Sequence, residues 1–130
     1  MTAYVDTSCL VALAFDEPSG RAVGRRLDCC ERLVSSNLLE AELRAVFARE
    51  DREANPAEYL AGISWVLPNR PLTVELGRVL AAGVLRGADL WHLACALFVD
   101  PECRELLFLT LDKAQARAAA RLGFRGMAGR

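Results

Sequence analysis

The stretch LLFLTLDKA (residues 106–114) carries the clearest information about the fold, because a continuously apolar run ends abruptly at a charged residue. Residues 106–110 have the pattern of a strand that is covered on both faces, as in a parallel sheet between two layers of helices. Residues 3–5 and 32–35 are further short strand candidates. Segments with helical spacing separate these strands, and this alternation predicts an α/β domain with a mostly parallel central sheet.

Helices are predicted between the strands from the spacing of their apolar residues. The clearest one contains Leu39, Leu43, Val46 and Phe47, which repeat at the interval of a single buried helical face. Gly123 is expected to end the last helix, and residues 126–130 are expected to fray. Further helices are predicted at residues 8–15, 18–30, 58–67, 75–85, 87–100 and 112–122, with a strand at 72–74 and the start of a last strand at Phe124.

Composition and charge restrict the class of protein. The chain has 130 residues, 53% of them hydrophobic and 25% charged, which predicts one globular domain over residues 1–130. The net charge of −1 lacks the basic excess that often marks nucleic-acid binders. No apolar run approaches the roughly 20 residues of a membrane span, and the N-terminus lacks the features of a signal peptide. The five cysteines include no CxxC pair, so we expect reduced thiols in a cytoplasmic protein.

Four acidic residues interrupt or close apolar runs, and they are the candidate functional residues: Asp6, Glu42, Asp89 and Asp112. Asp6 and Asp112 directly follow predicted strands, and ligands of parallel α/β sheets gather beyond the carboxyl ends of the strands. Carboxylates that meet there repel each other unless a cation joins them. Hard oxygen ligands suit Mg²⁺ or Mn²⁺, so the pattern favours a divalent-metal site.

Each acid also has a purely structural interpretation. Asp112 and Gln115 have the spacing of a helix capping box, and Asp89 suits the first turn of a helix. Asp6 can cap the helix that begins near Ser8, and Glu42 can be a solvated surface residue. Taken together the four acids favour the metal site, because caps do not require a glutamate at the rim of the core.

Three further polar residues lie close to these acids in the sequence. Ser8 and Thr110 are each two residues from an acid, and their hydroxyls can either orient a metal-bound water or satisfy local backbone groups. His92 is the only histidine, and without a partner pattern we interpret it as structural. Trp65 and Trp91 are interpreted as packing residues.

The order and spacing of several motifs resemble the PIN-domain family, and within it the VapC-type toxins of bacterial toxin–antitoxin pairs. The motifs are YVDTSCLVAL (residues 4–13), AELRA (41–45), GADLWHLACAL (87–97), FLTLDKA (108–114) and AAARLGF (118–124). The resemblance implies a three-layer α/β/α sandwich and a Mg²⁺- or Mn²⁺-dependent endoribonuclease. It also implies a cognate antitoxin, an RNA substrate and a homodimer.

The resemblance also assigns the residues. Asp6, Glu42, Asp89 and Asp112 match the four acids of the family, which are both the catalytic residues and the metal ligands, and Ser8 and Thr110 match its hydroxyl positions. Glu42 is preferred to Glu40 because Glu42-Leu43-Arg44 fits the family pattern.

Two other functions use similar features. A non-catalytic PIN-like module would bind RNA or protein through the same fold without a working metal site. A phosphatase of the haloacid dehalogenase type also places aspartates at strand ends, but it needs a D-x-D pair where this chain has Asp6-Thr7-Ser8. The complete set of four acids favours the nuclease over the non-catalytic module, and the missing D-x-D pair argues against the phosphatase.

Overall fold

The computed structural model describes residues 1–51 and 53–127. Within these ranges the strands are β1 (Thr2–Val5), β2 (Arg32–Ser36), β3 (Ile63–Val66) and β4 (Leu106–Leu109). The helices of the same ranges are α1 (Thr7–Ala14), α2 (Gly20–Asp28), α3 (Leu38–Glu50), α4 (Ala57–Leu60), α5 (Thr73–Ala82), α6 (Gly87–Val99) and α7 (Lys113–Leu122).

The four strands form one parallel sheet in the order β3-β2-β1-β4. Tyr4 of β1 lies in register with Val34 of β2 on one side and with Phe108 of β4 on the other. The chain first builds the sheet outward from β1 to β3 and then returns to place β4 on the other side of β1. The direction of strand addition therefore reverses between β1 and β4, and such a reversal opens a crevice at the carboxyl ends of the two strands.

Helices cover both faces of this sheet, which gives the expected three-layer α/β/α sandwich. On one face, Tyr4, Val34 and Phe108 pack with residues of α5, α6 and α7. On the other face, Val5 and Leu109 pack with residues of α1, α2 and α3. Because β4 is buried at every position, its side chains reach both layers, as its continuously apolar sequence predicts.

The strands predicted at residues 3–5, 32–35 and 106–110 are confirmed as β1, β2 and β4. The helix with Leu39, Leu43 and Phe47 on its buried face is confirmed as α3. Gly123 ends α7 with a φ of 113°, in the left-handed region that favours glycine. The last strand is reduced to a single bridge between Leu107 and Arg125.

The predicted helix at residues 58–67 is wrong. Only Ala57–Leu60 is helical, and Ile63–Val66 forms the edge strand β3. Ile63 and Val66 are β-branched and Trp65 is aromatic, which favours a strand, and their pairing with β2 outweighs the helical spacing of the apolar residues.

The predicted strand at residues 72–74 is also wrong, because α5 begins at Thr73. Leu72 precedes the helix and is buried, so its apolar character reflects packing in the core. This helix ends at Ala82 and not at the predicted residue 85. Gly83, which directly follows it, takes an extended conformation.

At the C-terminus, the expected fraying of residues 128–130 lies outside the described residues. Gly126, which was also expected to fray, is half-buried, and its carbonyl accepts a hydrogen bond from the Arg26 guanidinium at 3.0 Å. The expectation of a frayed tail is therefore wrong for Gly126.

All five cysteines carry free thiols. In the described part of the chain, no single helix is both long and apolar enough to span a membrane. Helices α5 and α6 pass that test of length and composition only as a pair, bent by 112°.

Candidate active site

Asp6 and Asp112 lie on either side of the crevice at the carboxyl ends of β1 and β4. Asp6 directly follows β1, and its backbone N–H donates to the carbonyl of Leu109, the last residue of β4, at 2.9 Å. Asp112 is the N-cap of α7 and follows the end of β4 by three residues. The expectation that strand ends would bring these two acids to one edge of the sheet therefore agrees with the sheet order.

Asp6 is only 5% exposed, and hydrogen bonds fix one of its two oxygens. Oδ2 accepts from the Ser8 backbone N–H at 3.1 Å and from the Ser8 hydroxyl at 2.7 Å. The Thr110 hydroxyl lies 3.3 Å from the same oxygen. Oδ1 accepts no hydrogen bond from the described residues. Asp6 thus caps α1, as its structural interpretation requires, and still has one oxygen available to a ligand.

Thr110 and Gln115 connect three of the four acids: Asp6, through the Thr110 contact given above, Asp112 and Asp89. The Thr110 hydroxyl donates to Gln115 Oε1 at 2.7 Å and accepts from the Asp112 backbone N–H at 3.1 Å. The Gln115 amide Nε2 donates to the Asp89 carbonyl oxygen at 3.3 Å. Because Gln115 is fully buried, this network fixes the start of α7 against the start of α6.

Asp112 accepts a hydrogen bond from the Gln115 backbone N–H at 2.8 Å, so it caps α7. The full capping box is not formed, because the Gln115 side chain turns to Thr110 and Asp89 and does not return to the Asp112 N–H. The Asp112 side chain is exposed, and its Oδ2 accepts no hydrogen bond within the described ranges.

Glu42 reaches the same edge of the sheet from α3. Its Oε1 accepts from the Thr7 hydroxyl at 2.8 Å and lies 2.7 Å from His92 Nε2. Burial alone would raise the pKa of Glu42, but the hydrogen bonds from His92 and Thr7 outweigh that effect and lower it. Glu42 is therefore held as a carboxylate, and it is not the solvated surface residue of the alternative interpretation. Glu40, the neighbouring glutamate, instead pairs with Arg44 on the surface at 2.7 Å.

His92 belongs to this site, although its sequence context suggested only a structural residue. It is fully buried on α6, and its Nε2 lies 2.7 Å from Glu42 Oε1 and 3.9 Å from Asp6 Oδ1. Its Nδ1 lies 2.6 Å from the Tyr4 hydroxyl. The His92 imidazole therefore contacts Glu42 and lies beside Asp6.

Asp89 lies in the first turn of α6 and makes no capping hydrogen bond. Partial burial raises the pKa of Asp89, and the negative charges of Asp6, Asp112 and Glu42 raise it further. This effect requires Asp6, Asp112 and Glu42 each to lie within electrostatic range of Asp89. The structure therefore brings the four acids from four separate segments to one edge of the sheet.

The donor set fits a hard divalent cation in kind, because it consists of carboxylate oxygens, several of them without hydrogen-bond partners among the described residues. It is not already assembled for binding. Among residues 1–51 and 53–127, no three His, Cys, Asp or Glu side chains are placed so that they could hold a metal ion as they stand. Metal binding at this site therefore requires side-chain rotation, for which the exposed Asp112 has room.

A pocket with a volume of about 770 Å³ lies elsewhere in the described part of the chain. Residues around the amino ends of three strands line it, including Thr2, Arg32 and Leu106, and none of the four acids does. We therefore base the site on the convergence of charge at the carboxyl ends of the strands and not on cavity size.

A family model for the PIN domain matches residues 3–121 of the sequence. The chain belongs to the PIN domain family. No curated protein and no solved structure gives a significant match. The PIN domain match and the parallel-sheet sandwich agree on the fold and the family of this chain without reference to any individual relative.

Sequence reasoning missed four residues that hold the acids of this PIN domain in place: Tyr4, Thr7, His92 and Gln115. Two signals were present. His92 follows Asp89 by three residues, which places both on one face of α6, and Gln115 follows Asp112 at the same interval. The bonds that Tyr4 and Thr7 make join residues 88 and 35 positions apart, and no local pattern reveals these partners.

Proposed function

We propose that this PIN domain is a metal-dependent endoribonuclease that hydrolyses RNA phosphodiester bonds. The observation that carries the proposal is the arrangement of the acids in a PIN domain: Asp6 and Asp112 lie at the carboxyl ends of β1 and β4, Asp89 is linked to Asp112 through Gln115, and Glu42 reaches the same edge through His92. A cluster of four acids at the crevice of a parallel sheet is costly without a cation. A divalent cation held by these acids would offset that repulsion.

Asp6, Asp89, Asp112 and Glu42 are the residues that would hold Mg²⁺ or Mn²⁺. When bound, such an ion lowers the pKa of a coordinated water and stabilises negative charge on phosphate. The chain's own contribution is position: Ser8 fixes Asp6 Oδ2, while Thr110 and Gln115 fix the backbone around Asp112 and Asp89. These bonds fix the Asp6 carboxylate and the backbone that carries Asp89 and Asp112, while Asp6 Oδ1 and Asp112 Oδ2 accept no hydrogen bond from the described residues.

We propose that two exposed cationic side chains, both close in sequence to the acids, contact the RNA phosphate. Lys113 follows Asp112 at the start of α7, and Arg86 precedes α6, three residues before Asp89. Both are exposed. They give the acidic edge a local positive border, although the chain as a whole has a net charge of −1.

Within the family, we propose that the chain is the toxin of a type II toxin–antitoxin pair, of the VapC type. The support is the set of motifs at Asp6, Glu42, Asp89 and Asp112 in the order and spacing of those toxins. This proposal implies a cognate antitoxin that covers the acidic edge, a cytoplasmic location and a homodimer.

A second candidate, a non-catalytic PIN-like module, has one observation in its favour. In the described part of the chain, the acids are not arranged to hold a metal as they stand. Such a module would bind RNA or protein equally well with and without Mg²⁺, and substitution of Asp6 would leave binding unchanged.

The experiment that tests the proposed function is a map of RNA ends after brief expression in bacterial cells. Wild type is compared with Asp6→Asn and with Glu102→Gln, an equivalent carboxyl-to-amide change at an exposed acid that pairs with Arg104. We expect new RNA ends at defined positions for wild type and Glu102→Gln, and none for Asp6→Asn. Identical RNA ends in all three samples would refute the proposal.

A further inference from the structure

The two oxygens of Glu42 have different surroundings. Oε1 lies 2.8 Å from the Thr7 hydroxyl, which donates to it, and 2.7 Å from His92 Nε2. Oε2 accepts no hydrogen bond from the described residues. A carboxylate can only accept, so the short contact requires that Nε2 of His92 carries a proton and donates it to Oε1.

The opposite nitrogen of His92 contacts Tyr4. Nδ1 lies 2.6 Å from the Tyr4 hydroxyl, whose oxygen accepts the backbone N–H of Ser36 at 3.0 Å. The hydroxyl can therefore donate its own proton to Nδ1 while it accepts from Ser36. Burial raises the pKa of Tyr4 well above its ordinary value, so the phenol keeps this proton. With its Nε2 hydrogen donated to Glu42 and its Nδ1 accepting from Tyr4, the imidazole fits both contacts in the tautomer that carries its hydrogen on Nε2.

The residues behind His92 are closely packed and hydrogen-bonded. Tyr4, Ser36 and His92 are all fully buried, and the Tyr4 ring stacks on Phe108 with 5.3 Å between the ring centroids. The Ser36 hydroxyl oxygen accepts from the Trp91 indole N–H at 3.0 Å and from the Leu38 backbone N–H at 3.1 Å. Trp91 was predicted only as a packing residue, but its indole N–H also holds the side chain of Ser36, whose backbone N–H donates to the Tyr4 hydroxyl.

We propose that His92 is the positioning residue of this site: Tyr4 sets its tautomer, and its Nε2–H holds Glu42 Oε1 so that Oε2 remains the oxygen available to a divalent cation. This inference rests on the proposed function. His92 does not itself act as an acid or base toward substrate, because it is fully buried and both its nitrogens are already bonded. Glu42, whose side chain is 31% exposed, would otherwise sample several rotamers.

The test compares His92→Leu, His92→Gln and Tyr4→Phe with wild type in the full chain. Leucine removes both hydrogen bonds, whereas the glutamine amide can still donate to Glu42, and phenylalanine removes only the hydroxyl that sets the tautomer. Glu75→Gln is the control for stability alone, because Glu75 is a buried acid in an ion pair with Arg70 at the start of α5, away from the four acids.

Three measurements are made: long-range proton–nitrogen NMR correlations of the single imidazole, calorimetric titration with Mn²⁺ alone, and steady-state RNA cleavage. We expect wild type to show the hydrogen on Nε2. His92→Leu is expected to lower Mn²⁺ affinity and kcat by about 10- to 100-fold, the usual loss when a partner of a metal ligand is removed, with KM little changed. His92→Gln is expected to recover most of both, and Tyr4→Phe to fall between leucine and wild type.

Any of three results would overturn the inference. The first is an imidazole with its hydrogen on Nδ1. The second is Mn²⁺ affinity in a folded His92→Leu protein equal to that of wild type. The third is the same loss in Glu75→Gln. If His92→Leu does not fold, the wild-type NMR spectrum and the Mn²⁺ affinity of His92→Gln decide the question. Wild type that binds Mn²⁺ without cleaving RNA overturns only the proposed function, and the affinities of the variants then still decide the role of His92.

Discussion

Glu42 Oε1 and His92 Nε2 lie 2.7 Å apart, although the two residues are 50 positions apart in the chain and belong to helices on opposite faces of the sheet. Helix α3 brings Glu42 from one layer and α6 brings His92 from the other. The two side chains meet beyond the carboxyl end of β1, where Asp6 Oδ1 lies 3.9 Å from the same imidazole nitrogen. The candidate active site is therefore also a junction between the two helical layers.

Asp89→Asn should stabilise the metal-free protein while abolishing RNA cleavage. Burial, followed by the charges of Asp6, Asp112 and Glu42, raises the pKa of Asp89, so its ionised form is disfavoured in the folded state. Wild type therefore loses stability as the pH rises through the raised pKa, and the amide removes that loss. Thermal melts in EDTA at pH 7 should show a midpoint a few degrees higher for the variant. A lower melting midpoint for Asp89→Asn than for wild type would contradict the repulsion between Asp89 and the other three acids.

Mg²⁺ or Mn²⁺ should stabilise wild type more than Asp6→Asn. An ion that binds only the folded state raises its stability by about 2.7 kcal/mol at one hundred times its dissociation constant. Melting midpoints measured against Mn²⁺ concentration test this, with Glu102→Gln as the control. Equal shifts in wild type and Asp6→Asn would show that the ion binds elsewhere.

Thr110→Val should destabilise the fold by about 1–3 kcal/mol, because valine leaves the buried Gln115 Oε1 and the Asp112 N–H without their partner. Urea unfolding measures the free energy. Thr73→Val, at an exposed position on the first turn of α5, is the matched control and should change stability by less than about 0.5 kcal/mol. Equal losses of unfolding free energy at both positions would show that the Thr110 hydroxyl does not stabilise the fold through this network.

Asp100→Asn should lower stability at pH 7 by roughly 1 kcal/mol, and the deficit should shrink in acid. Partial burial would raise the pKa of Asp100, but the backbone N–H groups of Leu106 and Glu105, which donate to Oδ2 at 2.9 Å, outweigh it and lower the pKa. A lowered pKa adds stability above the unfolded-state value of about 3.9, and that stability is lost as the pH falls through the folded-state value. Urea unfolding at pH 7 and pH 3 compares the two proteins, and a deficit independent of pH would contradict this explanation.

Much of the fold could be predicted because its strongest signals are local. The apolar run at β4 and the periodic face of α3 report burial directly, and the structure confirms both. The edge strand β3 could not be predicted in this way. Ile63–Val66 has apolar residues that also suit a helix, and only pairing with β2 makes it a strand.

The four acids could be proposed from sequence because strand ends and helix starts place carboxylates at a predictable edge of a parallel sheet. The groups that hold them could not be proposed in the same way. Tyr4 reads as an apolar strand residue and His92 as a lone histidine, and each acquires its role only from the other across 88 positions. The capping and site interpretations of an acid also do not exclude each other, since Asp6 and Asp112 cap helices and lie at the same edge of the sheet.

RNA cleavage by the purified protein, with EDTA and with Mn²⁺ restored, tests the central claim most directly. The account predicts endonucleolytic products only when Mn²⁺ or Mg²⁺ is present, and none from a folded Asp6→Asn protein under any condition. Cleavage that persists in EDTA, or that Asp6→Asn retains at the wild-type rate, would contradict the assignment of these four acids as the catalytic metal site.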